Sequence, residues 1–340
     1  VPSGSTTEAT PHLPQSDVYN RQTRYFEIFN RGSEPFDFRV TADNPWITVS
    51  HTSGTVTDQK RVTVTIDWPM LTGMPKTTTS SVEPSGFTGG LRQGTVTLSA
   101  AGSEIKIGIP AFCPAEPAPD TVEGFVEADG YVSMEAASYS ARHDGENRQW
   151  VWIEDYGRTR SGMRATAVTD AAPAVPGKDS PVLEYNMYLF STGEFETVLH
   201  MAPSLNFLPD RDFKIGLSVD DGDPQLITVV PAGFNAENFN REWEETVRNS
   251  TRYVKGRITV SEPGCHTLRI WMIDPGMVLE KIVLNTGELR PSYLGPPESR
   301  PAQPAALSPQ PAAPSPQPAA LNPQPAALSP QSAGLPTQPA

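Results

Sequence analysis

"PFDFRVTADNPWITVS", residues 35–50, reads as two short strands. Phe36, Phe38 and Val40 alternate with Asp37, Arg39 and Thr41. A period of two places one face of a strand in a core and the other in water. The same alternation recurs at Val62, Val64 and Ile66 around Thr63 and Thr65, at Val96 and Leu98, and at Ile105, Ile107 and Ile109. With strands at 25–30 and 46–50 added, six or seven short antiparallel strands span residues 23–112. That pattern predicts an immunoglobulin-like sandwich over residues 23–113, preceded by an N-terminal extension over 1–22.

Between Pro69 and Gln93 a Thr, Ser, Gly and Pro-rich stretch interrupts the pattern, long enough for a protruding loop. "PAEPAPDT", residues 114–121, combines proline with acids and marks the boundary, with a linker over 114–122. Beyond it ten strand-like runs follow, at 131–136, 149–153, 163–168, 182–190, 195–200, 213–219, 226–230, 257–260, 266–272 and 278–284. They predict a jelly-roll sandwich over 123–299. One helix is expected, in "NAENFNREWEETVRNSTR" (235–252), where Phe239, Trp243 and Val247 recur at four-residue steps. Residues 300–340 form Pro/Ala/Gln repeats with too little hydrophobicity to fold and are expected to be disordered. The fold class is therefore all-β: two sandwiches, one short helix and a tail.

At 340 residues, with 37% hydrophobic and 8% aromatic side chains, the chain has material for two packed cores. The net charge of −13 falls on the first 300 residues, since nothing from Pro301 onward is charged. An acidic body has no electrostatic footprint for nucleic acid or an anionic membrane. No stretch approaches the roughly 20 apolar residues that span a bilayer. The chain starts at Val1 without a signal peptide and reads as a processed or excised piece of a larger polypeptide. Cys113 and Cys265 leave one inter-domain disulfide or two free thiols open.

The sequence contains no recognisable catalytic motif. A glycosidase needs two carboxylates facing each other about 5 to 9.5 Å apart, and no spacing among the 39 acids singles out a pair. The densest acidic cluster, Asp220-Asp221-Gly222-Asp223, reads as a hairpin turn, with calcium binding as the lesser alternative. His12, His51, His143, His200 and His266 show no metal-ligand spacing. Neither a Gly-x-Ser-x-Gly elbow nor a glycine-rich phosphate loop occurs. What remains is "QWVWIEDYGRTRSG", residues 149–162. Trp150 and Trp152 share one face of a strand, and Tyr156, Arg158 and Arg160 follow in the turn. Aromatic rings stack on sugar faces and arginine grips a uronate carboxylate, so Trp150, Trp152, Tyr156 and Arg158 are the candidate carbohydrate-binding residues. The competing reading makes Trp152 core filling and pairs Arg158 with Glu154 or Asp155.

"EAASY" (135–139), "WIEDYGRTRSG" (152–162), "LEYNMYLF" (183–190), "HTLRIWMIDPGMVLEKIVL" (266–284) and "PSYLGPPES" (291–299) occur in the order found in the C-terminal domain of glycoside hydrolase family 115, the xylan α-1,2-glucuronidases, which this chain resembles. "RQTRYFEIFNRGSEPFDFRVTADNPWITVS" (21–50) is similar to the sandwich that precedes that domain. The resemblance implies a parent enzyme that removes glucuronic acid or its 4-O-methyl derivative from xylan, with its catalytic barrel upstream. No catalytic residue carries over, so the chain itself is expected to be non-catalytic. It would be a scaffold and dimer support for that barrel, or alternatively a xylan-binding module, extracellular or periplasmic. The jelly roll also resembles carbohydrate-binding modules of families 6 and 35, whose early Glu-Ala-Glu supplies calcium ligands. Here it reads Glu135-Ala136-Ala137, so no cofactor is expected and Glu135 is expected to be a buried hydrogen-bonding acid, a weak calcium candidate. "PSYLGPPES" follows the last strand and is expected to close the jelly roll, with Tyr293 and Leu294 packed on the sandwich.

Overall fold

The computed structural model describes residues 11–74, 90–159, 161–167, 172–208, 210–237, 239–287 and 289–301. Most of the expected loop over 69–93, Arg160, Val168 and the expected tail from residue 302 lie outside them.

The first sandwich contains β1 (Ser16–Asp17), β2 (Arg24–Phe29), β3 (Phe36–Ala42), β4 (Ile47–Val49), β5 (Ser53–Val56), β6 (Gln59–Ile66), α1 (Trp68–Gly73), β7 (Leu91–Ala100) and β8 (Ser103–Phe112). A sheet ordered β1-β8-β7-β3-β5 faces a three-stranded sheet ordered β2-β6-β4. Most of the alternation carries through: Phe38, Val40, Val62, Val64, Val96, Leu98, Ile107 and Ile109 are buried in one cluster with Phe36 and Ile66 partly buried against it, but Ile105, expected on the same face as Ile107 and Ile109, is 48% exposed. This is the immunoglobulin-like sandwich. The N-terminal arm is a correction. From residue 11 it is not an extension but part of the fold, with β1 parallel to β8 and Leu13, Val18 and Tyr19 in the core. Asp17 fastens it: fully buried, its carboxylate accepts from the Tyr19 and Asn20 amides at 2.9 and 2.7 Å and from Gln22 Nε2 at 2.6 Å. Strict alternation does not occur in so short a strand, so the arm gave no periodic signal. Helix α1 was also not anticipated, although Asp67 caps it by accepting from the Met70 amide.

The second sandwich contains β9 (Phe125–Val126), β10 (Tyr131–Glu135), β11 (Ala141–His143), β12 (Gln149–Glu154), β13 (Ser161–Thr166), β14 (Val182–Leu189), β15 (Gly193–Met201), β16 (Phe213–Val219), β17 (Gln225–Val230), α2 (Arg241–Arg248), β18 (Arg252–Val260), β19 (Gly264–Met272) and β20 (Val278–Asn285). One sheet is ordered β12-β13-β20-β15-β18 with β10 also on β20. The other is ordered β11-β14-β19-β16-β17 with β9 on β14. Each of the ten predicted runs falls on a strand. Their inward faces, Leu183, Tyr185 and Met187 of β14 against Leu199 of β15 and Ile282 and Leu284 of β20, make one core. The Asp220–Asp223 cluster is a hairpin turn between β16 and β17, and the Asp220 carboxylate holds His266 Nδ1 at 2.7 Å and the Thr267 amide at 2.8 Å.

Helix α2 is shorter than its sequence pattern. Asn240 caps it by accepting from the Trp243 amide, so Phe239 lies before the first turn and is 92% exposed. Val247 is also exposed, and the residue the helix buries is Thr246. With Phe239 ahead of the cap, the helix keeps only Trp243 and Val247 of the three four-residue positions, too few to define a buried stripe.

The two sandwiches share apolar surface. Phe190, at the end of β14, belongs to the first core together with Val126. Its ring lies 5.0 Å from Phe112, 5.8 Å from Tyr19 and 5.0 Å from Tyr188. Tyr19 donates its hydroxyl to the Pro117 carbonyl at 2.7 Å, tying the arm to the connecting segment. Cys113 and Cys265 are not joined in a disulfide. Among the described residues no helix is long and apolar enough to cross a membrane.

Candidate functional site

The outward face of the sheet that contains β20 carries an unusual set of buried polar groups. Register places Glu135 of β10 opposite Lys281 of β20, and Lys281 opposite His200 of β15. All three are nearly inaccessible, as is Ser133. What covers them is the segment 291–299. Ser133 donates its hydroxyl to the Pro296 carbonyl, and its amide to Ser299 Oγ at 3.0 Å, while the Ser299 amide returns to the Ser133 carbonyl. Lys281 Nζ donates to the Pro296 carbonyl at 2.9 Å and pairs with Glu135 Oε1 at 3.0 Å. Three prolines leave few strap amides to pair with a strand, so side chains of the sheet take the carbonyls instead.

Tyr293 and Leu294 do not pack on the sandwich as their size suggested. They occupy the tip of a turn closed by Ser292 and Gly295, and are 61% and 50% exposed. Gly295 has φ near +75°, and a Cβ there would meet His200 at 3.2 Å. The turn is thereby held flat against the sheet with its large side chains outward.

Arg158 stands beside that turn. Its guanidinium donates to the Asn249 carbonyl at 3.0 Å, to the Tyr253 hydroxyl at 2.9 Å and to the Tyr293 carbonyl, and it lies 4.3 Å from the centroid of the Tyr293 ring. Tyr253, on the outward face of β18, is 45% exposed and meets His200 edge to face at 4.9 Å. Beneath the loop that carries Arg158 is Glu280, the extra residue of a β-bulge in β20. Gly157, with φ near +78°, passes so close that a Cβ would come within 3.1 Å of the Glu280 carboxyl carbon. Burial pushes Glu280 up to about 7, against the opposing pull of the Thr251 hydroxyl and Arg158, with Glu135 adding to the rise. Burial pushes His200 down to about 4, helped by Lys281 and Arg158. At neutral pH His200 is therefore uncharged.

The sequence candidates separate. Trp150 and Trp152 do share a face, but it is the inner one. Trp150 is fully buried with Nε1 donating to the Pro181 carbonyl, and Trp152 packs against the same core, so Trp150 has no face open to a sugar. Tyr156 remains at the surface next to Gly162, and Arg158 is drawn into the tyrosine cluster rather than pairing with Glu154 or Asp155. Glu135 is the buried, hydrogen-bonded acid expected: Lys281 holds one oxygen, and Thr159 donates to the other at 2.6 Å. An ammonium 3.0 Å from the carboxylate repels a second cation, and the described residues contain no group of three His, Cys, Asp or Glu placed to hold a metal. Calcium does not fit Glu135 in this arrangement. Tyr253, Glu280 and Lys281 have no signal in the sequence, and Tyr293 reads there as a packing residue rather than a site residue. They come from β18, β20 and the strap, and the β18–β15–β20 register and the strap bring them together.

Residues 124–298 match the Glycosyl hydrolase family 115 C-terminal domain, just over half of the chain. No curated protein sequence matches. Among solved structures, the chain is similar to a family GH115 4-O-methyl-α-glucuronidase with specificity for decorated arabinogalactans, at 16% identity and a TM-score of 0.33 over 44% of this chain. It spans 18% of the length of that enzyme. A CBM6 module of Clostridium stercorarium in complex with cellobiose matches at 14% identity and 0.29, covering 48% of this chain and 98% of that one. A family 35 carbohydrate-binding module of Clostridium thermocellum matches at 12% and 0.30, covering 46% and 98%. By the match over its second sandwich, the chain belongs to glycosyl hydrolase family 115, whose C-terminal domain it carries.

Proposed function

We propose that this chain is a non-catalytic part of a xylan α-1,2-glucuronidase, bracing an upstream catalytic domain and supporting a homodimer, outside the cytoplasm. The observation that carries the bracing role is the aromatic cluster of Phe190, Tyr19, Phe112 and Tyr188, which joins the two sandwiches through shared core. A unit of two sandwiches locked by apolar contact transmits position; two beads on a flexible linker do not. The test is deletion of this region from the parent polypeptide. The expected result is a lower melting temperature and loss of self-association; unchanged stability and assembly would overturn the reading. Release of glucuronic acid from glucuronoxylan by the purified chain alone would overturn its non-catalytic part.

A second reading, accessory carbohydrate recognition, is favoured by the surface around Arg158. Solvent-facing tyrosines held by a common anchor offer rings at fixed positions, which is what stacking on pyranose faces requires. Affinity electrophoresis of the chain in xylan tests it: retarded migration is expected, and unretarded migration in every xylan gel would sink it.

A further inference from the structure

We infer that the Tyr253–Tyr293 surface takes an uncharged pyranose chain, such as the unsubstituted xylose backbone, and that Arg158 is a positioning residue for the two rings rather than a clamp for a uronate carboxylate. This rests on the carbohydrate-recognition reading above.

A carboxylate is gripped bidentately by two adjacent N–H groups of a guanidinium fork. Arg158 has no such edge free. Both protons of Nη2 are used, one on the Tyr253 hydroxyl and one on the Tyr293 carbonyl, while Nη1 donates to the Asn249 carbonyl. Nε is buried, without a hydrogen-bond partner and out of reach of a surface ligand. The Tyr293 ring also lies 4.3 Å from the guanidinium carbon. Gripping a uronate would mean breaking the bonds that orient both rings.

The neighbouring charges point the same way. Lys281 is committed to Glu135 and to the Pro296 carbonyl beneath the strap. Along the outward face of β18, Lys255 pairs with Glu196 and Arg257 with Glu194. His200, edge-on to Tyr253, is neutral at pH 7. Glu280 lies below the Arg158 loop and contributes negative charge when ionised. What the surface does offer is two half-exposed rings and the exposed Leu294. Rings whose described cationic neighbours Arg158, Lys281, Lys255 and Arg257 are already engaged suit the apolar face of a neutral sugar.

The experiment uses the full chain in affinity gels containing glucuronoxylan, the same xylan stripped of its glucuronate, or polygalacturonate. Equal retardation in both xylans, none in polygalacturonate and no sensitivity to added salt are expected. Tyr253→Ala and Tyr293→Ala should each weaken retention on the order of tenfold. Arg158→Lys keeps the charge but cannot reach three acceptors, so it should weaken binding to both xylans by the same factor. Tyr253→Phe keeps the ring and removes only the hydroxyl anchor, and should cost a few-fold, which covers the case in which Arg158→Lys fails to fold. Retention that rises with glucuronate content, falls with salt, or is lost in Arg158→Lys on glucuronoxylan alone would overturn the inference. Absence of retention in all gels would overturn the carbohydrate reading beneath it.

Discussion

Lys281 and Glu135 form an ion pair almost wholly removed from water, 3.0 Å apart on adjacent strands. Removing one partner leaves the other charge buried alone, which costs about 3–5 kcal/mol, whereas replacing both by neutral groups of similar volume costs far less. Lys281→Met should therefore destabilise the second sandwich severely, and Lys281→Met combined with Glu135→Gln should recover much of the loss in chemical denaturation. Equal destabilisation of the single and double variants would show that the strap bonds of Lys281, not the charge pair, dominate. The two shifted groups beside it predict a pH dependence with opposing signs. Glu280 holds its proton more tightly when folded, so unfolding releases protons between about pH 4.5 and 7, and stability declines as pH rises through that window. His200 holds its proton less tightly when folded, so stability is lost as pH falls from about 6.5 to 4. Each contribution is on the order of 3 kcal/mol across its window, and the two oppose where they overlap. Melting temperature should accordingly vary little between pH 5 and 6. In Glu280→Gln the His200 slope is no longer opposed by Glu280, and the melting temperature should fall more with acidification than in the unaltered chain; an unchanged profile in that variant would refute the assignment.

At the level of elements, sequence periodicity located strands well and placed their faces well, because alternation follows directly from the pleat. Trp150 illustrates the limit: period two put it on the same face as Trp152 but could not say which face was inward, since β12 is rich in large apolar residues on both sides of its pairing. The strap shows a different limit. "PSYLGPPES" was recognisable as the closing segment, and Ser299 and the Pro296 carbonyl do bind the sheet. Its large residues pointed the wrong way because a turn from Ser292 to Gly295 has no periodicity to read, and size alone suggests burial. The small residue Ser299, 2% exposed, does the anchoring. Ser299→Ala would leave the buried Ser133 amide without its acceptor, a loss of about 1–3 kcal/mol. Hydrogen exchange at the Ser133 amide should accelerate in this variant while amides of the first sandwich keep their protection.

Across the whole molecule, the prolines and acids of 114–122 suggest a boundary in the sequence, but nothing there announces the contact between Phe190 and the first core. Phe190 reads as the last apolar residue of a jelly-roll strand, and nothing in its spacing reveals that its ring enters the other sandwich. The N-terminal arm escaped for a related reason: a two-residue strand paired in parallel across a long separation has no local signature. Both features bear on whether the sandwiches melt together. Phe190 contacts Tyr19 of the arm, Phe112 of β8 and Tyr188 of β14, so it couples both cores directly. Replacing it with alanine removes that coupling and should cost about 3–5 kcal/mol by loss of buried surface and creation of a cavity. Calorimetry of the unaltered chain should give one transition for both sandwiches. In Phe190→Ala that transition should split, the first sandwich melting earlier because its arm loses the ring that covers Tyr19. Two transitions already present in the unaltered chain would mean that the sandwiches are thermodynamically independent, and the bracing role would lose its physical basis.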